Sequence, residues 1–406
     1  MRHSTPNTRG LGTPAIFVLA LLSAVAPLAT DMYLPGFPLM AGDLATSASA
    51  IQLTLTSFLI GLALGQLLIG PLSDRFGRRR PLLLGTGLAI VSGYLCAVAP
   101  GVDSLIALRF LQGLGGGAGV VLARAIISDR TSDATASARL FQVMMLIGGL
   151  APVLAPIIGT GIVSLAGWRA VFVVVASLSV LAFLGTLRQL DESLPPENRS
   201  EGGMAGLWQG MKTVCGNRLY LGYTLTVGFA FMVMFAYISA SPFVMQTVLG
   251  LSPLAYSLAF GLNAIGIVLA SAVSAKLVSR VSPARLTTIG IVANTIGALC
   301  TLLCVLAGAG AVLTLPALFV TVASLGLILG NASALAISQV PRSAGTASAV
   351  LGALQFCLGA IASPLVGLAG KDSALPMALV MVVAALLAVV ALLTTRSSRS
   401  LAAEAA

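Results

Sequence analysis

The chain has 406 residues, of which 58% are hydrophobic and only 8% charged, and its mean hydropathy is +1.03. So few charges cannot cover the surface of a water-soluble domain, and composition places the chain among polytopic membrane proteins. The formal charge of +10 does not point to nucleic acid, because the basic residues lie in short breaks between apolar runs, where they report topology.

At the N-terminus Arg2 and Arg9 precede an apolar stretch, as in a signal peptide. The run extends from about Pro14 to Pro38, however, and is long enough to span a bilayer, so it reads as a retained first helix. It also contains Asp31. An ionised side chain near the bilayer centre costs at least roughly 2.5–3.5 kcal/mol on insertion scales, so this carboxylate calls for a functional reason.

A span needs about 20 mostly apolar residues, and on that measure the sequence predicts twelve, over 14–38, 50–70, 82–100, 104–127, 139–163, 168–188, 219–245, 253–275, 286–307, 312–335, 343–367 and 374–395. The runs are continuous rather than alternating, which predicts helices and not barrel strands. With the N-terminus placed in the cytoplasm, inside segments hold 18 of the 22 Lys and Arg, and outside segments hold only Arg169 and Lys371. That bias predicts both termini on the cytoplasmic side.

The longest polar segment, 189–218, carries Asp191, Glu192, Pro195, Pro196, Glu197 and a Gly202-Gly203 pair. It is expected to link a six-helix N-terminal half, 1–188, to a six-helix C-terminal half, 219–406. Leu72-Ser73-Asp74-Arg75-Phe76-Gly77-Arg78-Arg79-Arg80 aligns weakly with Leu277 to Arg285, with Ser279 in place of Asp74. A weak repeat between six-span halves is characteristic of duplicated transporter folds.

Chemistry-bearing residues are few. The five cysteines form no CxxC pair, and Cys300 and Cys304 alone are a poor metal site. The one histidine is His3, in the tail, so no buried imidazole serves as a proton carrier. No metal, organic cofactor or catalytic constellation is expected, and no GxxxxGK[ST] motif supports direct ATP driving. The acids total twelve, and by these boundaries only Asp31 lies within a span. It is therefore the candidate for carrying a proton through the core, as conformation exposes its carboxyl to a cation or withdraws it from one. Counting 1.5 Å per residue places Asp31 about 10 Å, and Arg109 about 8 Å, below the same surface. Sequence shows this equality of depth but no contact.

The loop Gly70-Pro71-Leu72-Ser73-Asp74-Arg75-Phe76-Gly77-Arg78-Arg79-Arg80-Pro81 is the most specific signal: Gly70 and Pro71 are expected to end one helix, Gly77 to permit a tight turn, and Asp74 to pair across to a neighbouring helix. It resembles the signature between spans 2 and 3 of the major facilitator superfamily. Leu108-Arg109-Phe110-Leu111-Gln112-Gly113-Leu114-Gly115 resembles that superfamily's span 4 motif. The stretch from Gly149 to Gly159, with Pro152 and Pro156, resembles the span 5 motif of its antiporters, though Ala155 stands where glycine is common. Thr30-Asp31-Met32-Tyr33-Leu34-Pro35 looks like the bicyclomycin- and chloramphenicol-resistance (Bcr/CflA) group of drug:proton antiporters.

The resemblance implies an all-α major facilitator fold, in which spans 1 and 4 line a central cavity and Asp31 and Arg109 come into reach of one another for proton coupling. It further implies a proton-coupled exporter of small amphipathic drugs, with the proton as the coupling ion, in a bacterial inner membrane and as a monomer. The expected cavity residues are Asp31, Tyr33, Arg109, Gln112, Phe141, Met144, Met145, Tyr237, Asn263 and Gln355, because thioethers and aromatic faces tolerate varied apolar ligands. The expected gate comprises Gly70, Asp74, Arg75, Gly77, Arg78, Arg124, Asp129, Pro152 and Pro156, with Arg124 clasping Asp74 and Asp129 in the outward-open state. The run Gly113 to Gly119 is expected to serve close helix packing. A transporter of a native metabolite on the same scaffold, or a non-transporting membrane sensor, is the alternative.

Overall fold

Among the described residues, twelve helical stretches are long and apolar enough to cross a membrane, in the number and order expected from the apolar runs. The computed structural model describes residues 12–130, 134–199, 203–368 and 370–404. The first span consists of α1 (Thr13–Asp31) and α2 (Phe37–Asp43), joined by a 3-10 turn at Leu34–Gly36. Spans two to six are α3 (Ala48–Phe76), α4 (Arg79–Ala97), α5 (Val102–Arg130), α6 (Ala134–Ala166) and α7 (Trp168–Gln189). The segment expected as a linker contains a helix of its own, α8 (Gly203–Cys215). The seventh span is α9 (Arg218–Phe243), continued by a π-turn at Val244–Val248. α10 (Pro253–Leu277) and α11 (Pro283–Leu306) follow; the tenth span is two pieces, α12 (Ala311–Ala323) and α13 (Leu325–Ser338), and α14 (Ala344–Leu365) and α15 (Leu375–Glu404) complete the chain.

Helices win because a bilayer offers no water to the backbone, so each segment satisfies its own N–H and C=O groups. The starts are marked by short polar caps. The side chains of Ser47, Ser252 and Ser282 accept from the N–H groups of Ala50, Ala255 and Arg285, and Asn217 accepts from Tyr220 at 3.0 Å. One expected end is displaced. Gly70 and Pro71 do not stop α3, which continues to Phe76. Proline removes a single backbone bond here, and the Ser73 hydroxyl donates to the Gly70 carbonyl at 2.7 Å. The stop comes at Gly77, at φ +90°, a conformation that favours glycine.

α3 and α5 approach so closely that a Cβ on Gly61 would strike the Phe110 carbonyl, and one on Gly113 the Phe58 carbonyl. A Cβ on Gly115 would strike the Gly85 carbonyl of α4. The glycine run of span 4 is thus a packing surface of the kind lipid-embedded helices use.

The loops carrying most of the arginines lie at one end of the bundle. Hydrogen bonds among the described residues that join the first six spans to the last six run from mid-bundle toward the opposite end. Gln52 donates to the Ser239 carbonyl at 3.2 Å, Ser363 to the Gln52 carbonyl at 3.0 Å, and Gln246 to the Pro35 carbonyl at 3.2 Å. Ser257 donates to the Pro156 carbonyl at 3.1 Å, and the Phe37 and Phe243 rings meet there with centroids 6.0 Å apart. At that end the two sets of helices are held together by polar contacts and aromatic packing.

Candidate functional site

α1 ends within the bundle, and its last residue is Asp31. The last carbonyls of a helix lack intrahelical partners, and Arg109 of α5 uses this: its Nη2 donates to the Ala29 carbonyl at 3.0 Å. Its Nη1 donates to Gln112 Oε1 at 2.6 Å. The guanidinium carbon stands 4.1 Å from the Phe58 ring centroid, 4.5 Å from Tyr33 and 5.7 Å from Phe172. Arg109 is fully buried, and cation–π contacts replace water around its charge. Tyr33 is fixed in turn by its hydroxyl contact with Thr54 at 3.2 Å.

Depth counting thus brought Arg109 to the correct level, but the two charges are not joined. The ion pairs among the described residues do not include Asp31 with Arg109. The guanidinium reaches α1 two residues earlier and turns its remaining faces to aromatic rings. Asp31 is 4% exposed, and its Oδ1 has no hydrogen-bond partner.

The Asp31 side chain lines a central cavity of about 650 Å³. α1 contributes Ser23, Ala26, Pro27 and Thr30 as well; α5 contributes Val120 and Arg124, and α6 contributes Pro152. The facing wall is mostly aromatic, formed by Phe231, Met234, Phe235, Tyr237 and Ile238 of α9, Phe260 of α10 and Phe356 of α14. Tyr237 is oriented by Asn263, whose Nδ2 donates to its hydroxyl at 2.7 Å, and stacks on Phe260 at 5.4 Å.

Of the residues expected at the cavity, Asp31 and Tyr237 form its wall. Tyr33, Arg109 and Gln112 form the buried layer behind α1, and Asn263 acts through Tyr237. Gln355 is off the wall and its neighbour Phe356 is on it. The side chains of Phe141, Met144 and Met145 lie outside the described residues. Met234, Phe235 and Ile238 were missed, although with position 231 they follow helical i, i+3, i+4, i+7 spacing.

The cluster at the arginine-rich end also differs from expectation. Asp74 and Asp129 both pair with Arg78, the latter through Nε at 3.0 Å, and not with Arg124. Arg78 also donates to Ser73 Oγ at 2.6 Å. All of these residues belong to the first six spans, so the cluster ties α3 to α5 instead of bridging the two sets of helices. Arg75 lies over the Phe76 ring at 5.3 Å. Pro152 and Pro156 both lie inside α6, which continues through them.

Next to this cluster, Glu192 receives the backbone N–H groups of Arg78 at 2.7 Å, Leu194 at 3.0 Å and Arg79 at 3.2 Å. It caps the start of α4 from a distant part of the chain. Burial alone would raise its carboxyl, but these three donors and the Arg199 charge hold it below the ordinary value of 4.5. Gly77 has a second role here, since a Cβ at that position would strike the Glu192 carboxylate.

Residues 19–364 match the family described as Major Facilitator Superfamily. The chain belongs to the Major Facilitator Superfamily. It is 38% identical over 374 residues to an uncharacterized MFS-type transporter, YdgK, of Bacillus subtilis (strain 168), covering 91% of this chain and 92% of that one. It is 31% identical over 387 residues to a bicyclomycin resistance protein homolog of Haemophilus influenzae, covering 95% and 97%. Among solved structures, a bacterial homolog of the human lysosomal transporter Spinster, inward-facing and unoccupied, superposes with a TM-score of 0.71 at 17% identity, covering 94% and 95%. That likeness shows the major facilitator fold. The chain is a multi-pass membrane protein and a secondary transporter of small molecules, not an enzyme.

Proposed function

We propose that this superfamily member is a proton-coupled exporter of small amphipathic drugs, antibiotics such as phenicols or bicyclomycin among them, of the bicyclomycin- and chloramphenicol-resistance type. In this reading it works by alternating access in a bacterial inner membrane, with both termini and the arginine-rich end in the cytoplasm and residues 1–188 rocking against 219–406. The observation that carries it is Asp31, a buried carboxylate on the wall of a largely apolar and aromatic cavity, with one oxygen lacking a partner. A carboxylate so placed is costly unless it exchanges a proton or meets a ligand. The resistance functions named for the Haemophilus relative, and for a Pseudomonas aeruginosa chloramphenicol resistance protein 33% identical over 66% of this chain, favour drugs as that ligand.

In the cycle, a proton from outside reaches Asp31 and the drug leaves. The protonated carrier turns inward, and a new drug displaces the proton into the cytoplasm. On this topology the end closed by the contacts between the two sets of helices faces outward, and the cavity loads from the cytoplasm. Arg109 contributes by holding the end of α1, through the Ala29 carbonyl, in the place where Asp31 meets the cavity.

The test is pH-gradient-driven drug efflux in everted vesicles, comparing wild type with Asp31→Asn. Loss of drug-linked proton movement with retained protein level is the expected outcome. Full gradient-driven efflux by the Asn variant would refute the role of Asp31.

A further inference from the structure

Arg124 has no task in the cycle above. It lies on α5, six residues before the helix ends at Arg130, and its side chain forms part of the cavity wall together with Asp31. The acids expected to hold it are engaged by Arg78. Among the described residues Arg124 makes no ion pair, and its side chain is exposed to the cavity space. A guanidinium within a membrane span is costly unless it meets an anion, water or a partner acid, and it offers five donors in a planar fork matched to carboxylates.

The position relative to Asp31 is defined by packing. A Cβ on Gly119 of α5 would lie 2.8 Å from the Leu22 carbonyl of α1, so these residues share a level. The helices are antiparallel, so Asp31 lies nine residues to one side of that level and Arg124 five to the other. At 1.5 Å per residue their Cα atoms are about 21 Å apart along the bundle. Side chains lean toward the N-terminus of their own helix. For Asp31 that direction is toward Arg124, and for Arg124 it is toward Asp31, so the charges lie closer together than the Cα atoms. Phe231, Phe235 and Phe356 line the same cavity.

We infer that Arg124 is an anion subsite and that the cavity selects elongated amphipaths bearing a carboxylate: the acid group binds Arg124, an aromatic body lies on the phenylalanines, and the far end, an amine in zwitterions, meets Asp31. This rests on the drug-export reading and narrows its substrate class. A cavity with Asp31 alone would favour cations; the second, opposite pole makes a carboxylate the preferred group at the arginine-rich end.

The experiment uses full-length protein in nanodiscs and two probes, the fluorescent zwitterionic quinolone norfloxacin and its methyl ester, which differ in the carboxylate. Wild type should bind the acid at least about tenfold tighter than the ester. Arg124→Gln should bring the two affinities together by weakening the acid alone, and Arg124→Lys should restore part of the preference. Unaltered ester binding by Arg124→Gln serves as the check that the variant is folded. Equal affinities in wild type, or a preference that survives Arg124→Gln, overturn the anion subsite while leaving drug binding intact. Binding of neither probe to wild type overturns this inference, while the export reading stands or falls on the efflux test of Asp31→Asn.

Discussion

Replacing Arg109 by lysine tests whether this residue's main task is to hold the end of α1. The charge is kept, so the cost of burying it is roughly unchanged, and what is lost is the fork. A lysine ammonium reaches either the Ala29 carbonyl or Gln112 Oε1, not both in the geometry seen at 3.0 and 2.6 Å. One buried acceptor is then orphaned, at about 1–3 kcal/mol. Stacking on Phe58 and Tyr33 weakens as well, by about 0.5–1 kcal/mol. A net loss near 2 kcal/mol lowers the melting temperature by roughly 2–3 °C in a chain of this size. Thermal denaturation in detergent, followed by fluorescence-detected size exclusion, reads this directly. Arg109→Met, which orphans both acceptors, should fall further. A lysine variant that melts within about 1 °C of wild type would refute the argument that the fork holds α1.

Three further outcomes are expected. Glu192→Gln leaves one acceptor oxygen for N–H groups that now use two, costing about 1 kcal/mol. Because the folded carboxyl titrates below its ordinary 4.5, the difference from wild type should be full at neutral pH and shrink as pH falls below that value, in melting curves taken across pH. Gly113→Ala drives a Cβ into the Phe58 carbonyl and should cost about 1–3 kcal/mol, whereas Gly116→Ala, with nothing within 4 Å, should be neutral or stabilising in the same assay. Tyr237→Phe keeps the cavity wall but strips Asn263 of its acceptor at 2.7 Å, so stability should drop by about 1–3 kcal/mol; an unchanged melting temperature would show that Asn263 does not depend on that hydroxyl.

How much of the site was legible follows from which coordinate of a helix a sequence reports. Depth is a matter of counting, and counting put Asp31 and Arg109 at one level. Azimuth is not. In lipid a helix is apolar on the faces that meet neighbours and on those that meet acyl chains, so no polar stripe marks the inward side. For this reason Gln355 was chosen where Phe356 faces the cavity, and Arg124 was assigned to the acids while its side chain lines the central space. The α9 face at 231, 234, 235 and 238 had the right spacing, but its residues are no more apolar than the rest of that span.

The sequence by itself determined the number and order of the spans, the scarcity of core charge, and the singular place of Asp31, because the bilayer penalises every polar residue in a way that composition and run length record. It also marked the loop around Gly77, though not that α3 would run through Pro71 to reach it. Only the tertiary structure decided which groups meet. Arg109 binds the Ala29 carbonyl in place of the Asp31 carboxylate, Arg78 takes both acids, and Glu192 arrives from 114 residues away to cap α4. Each of these depends on how helices rotate against one another, and that rotation is set by small-residue packing at places such as Gly61 and Gly113.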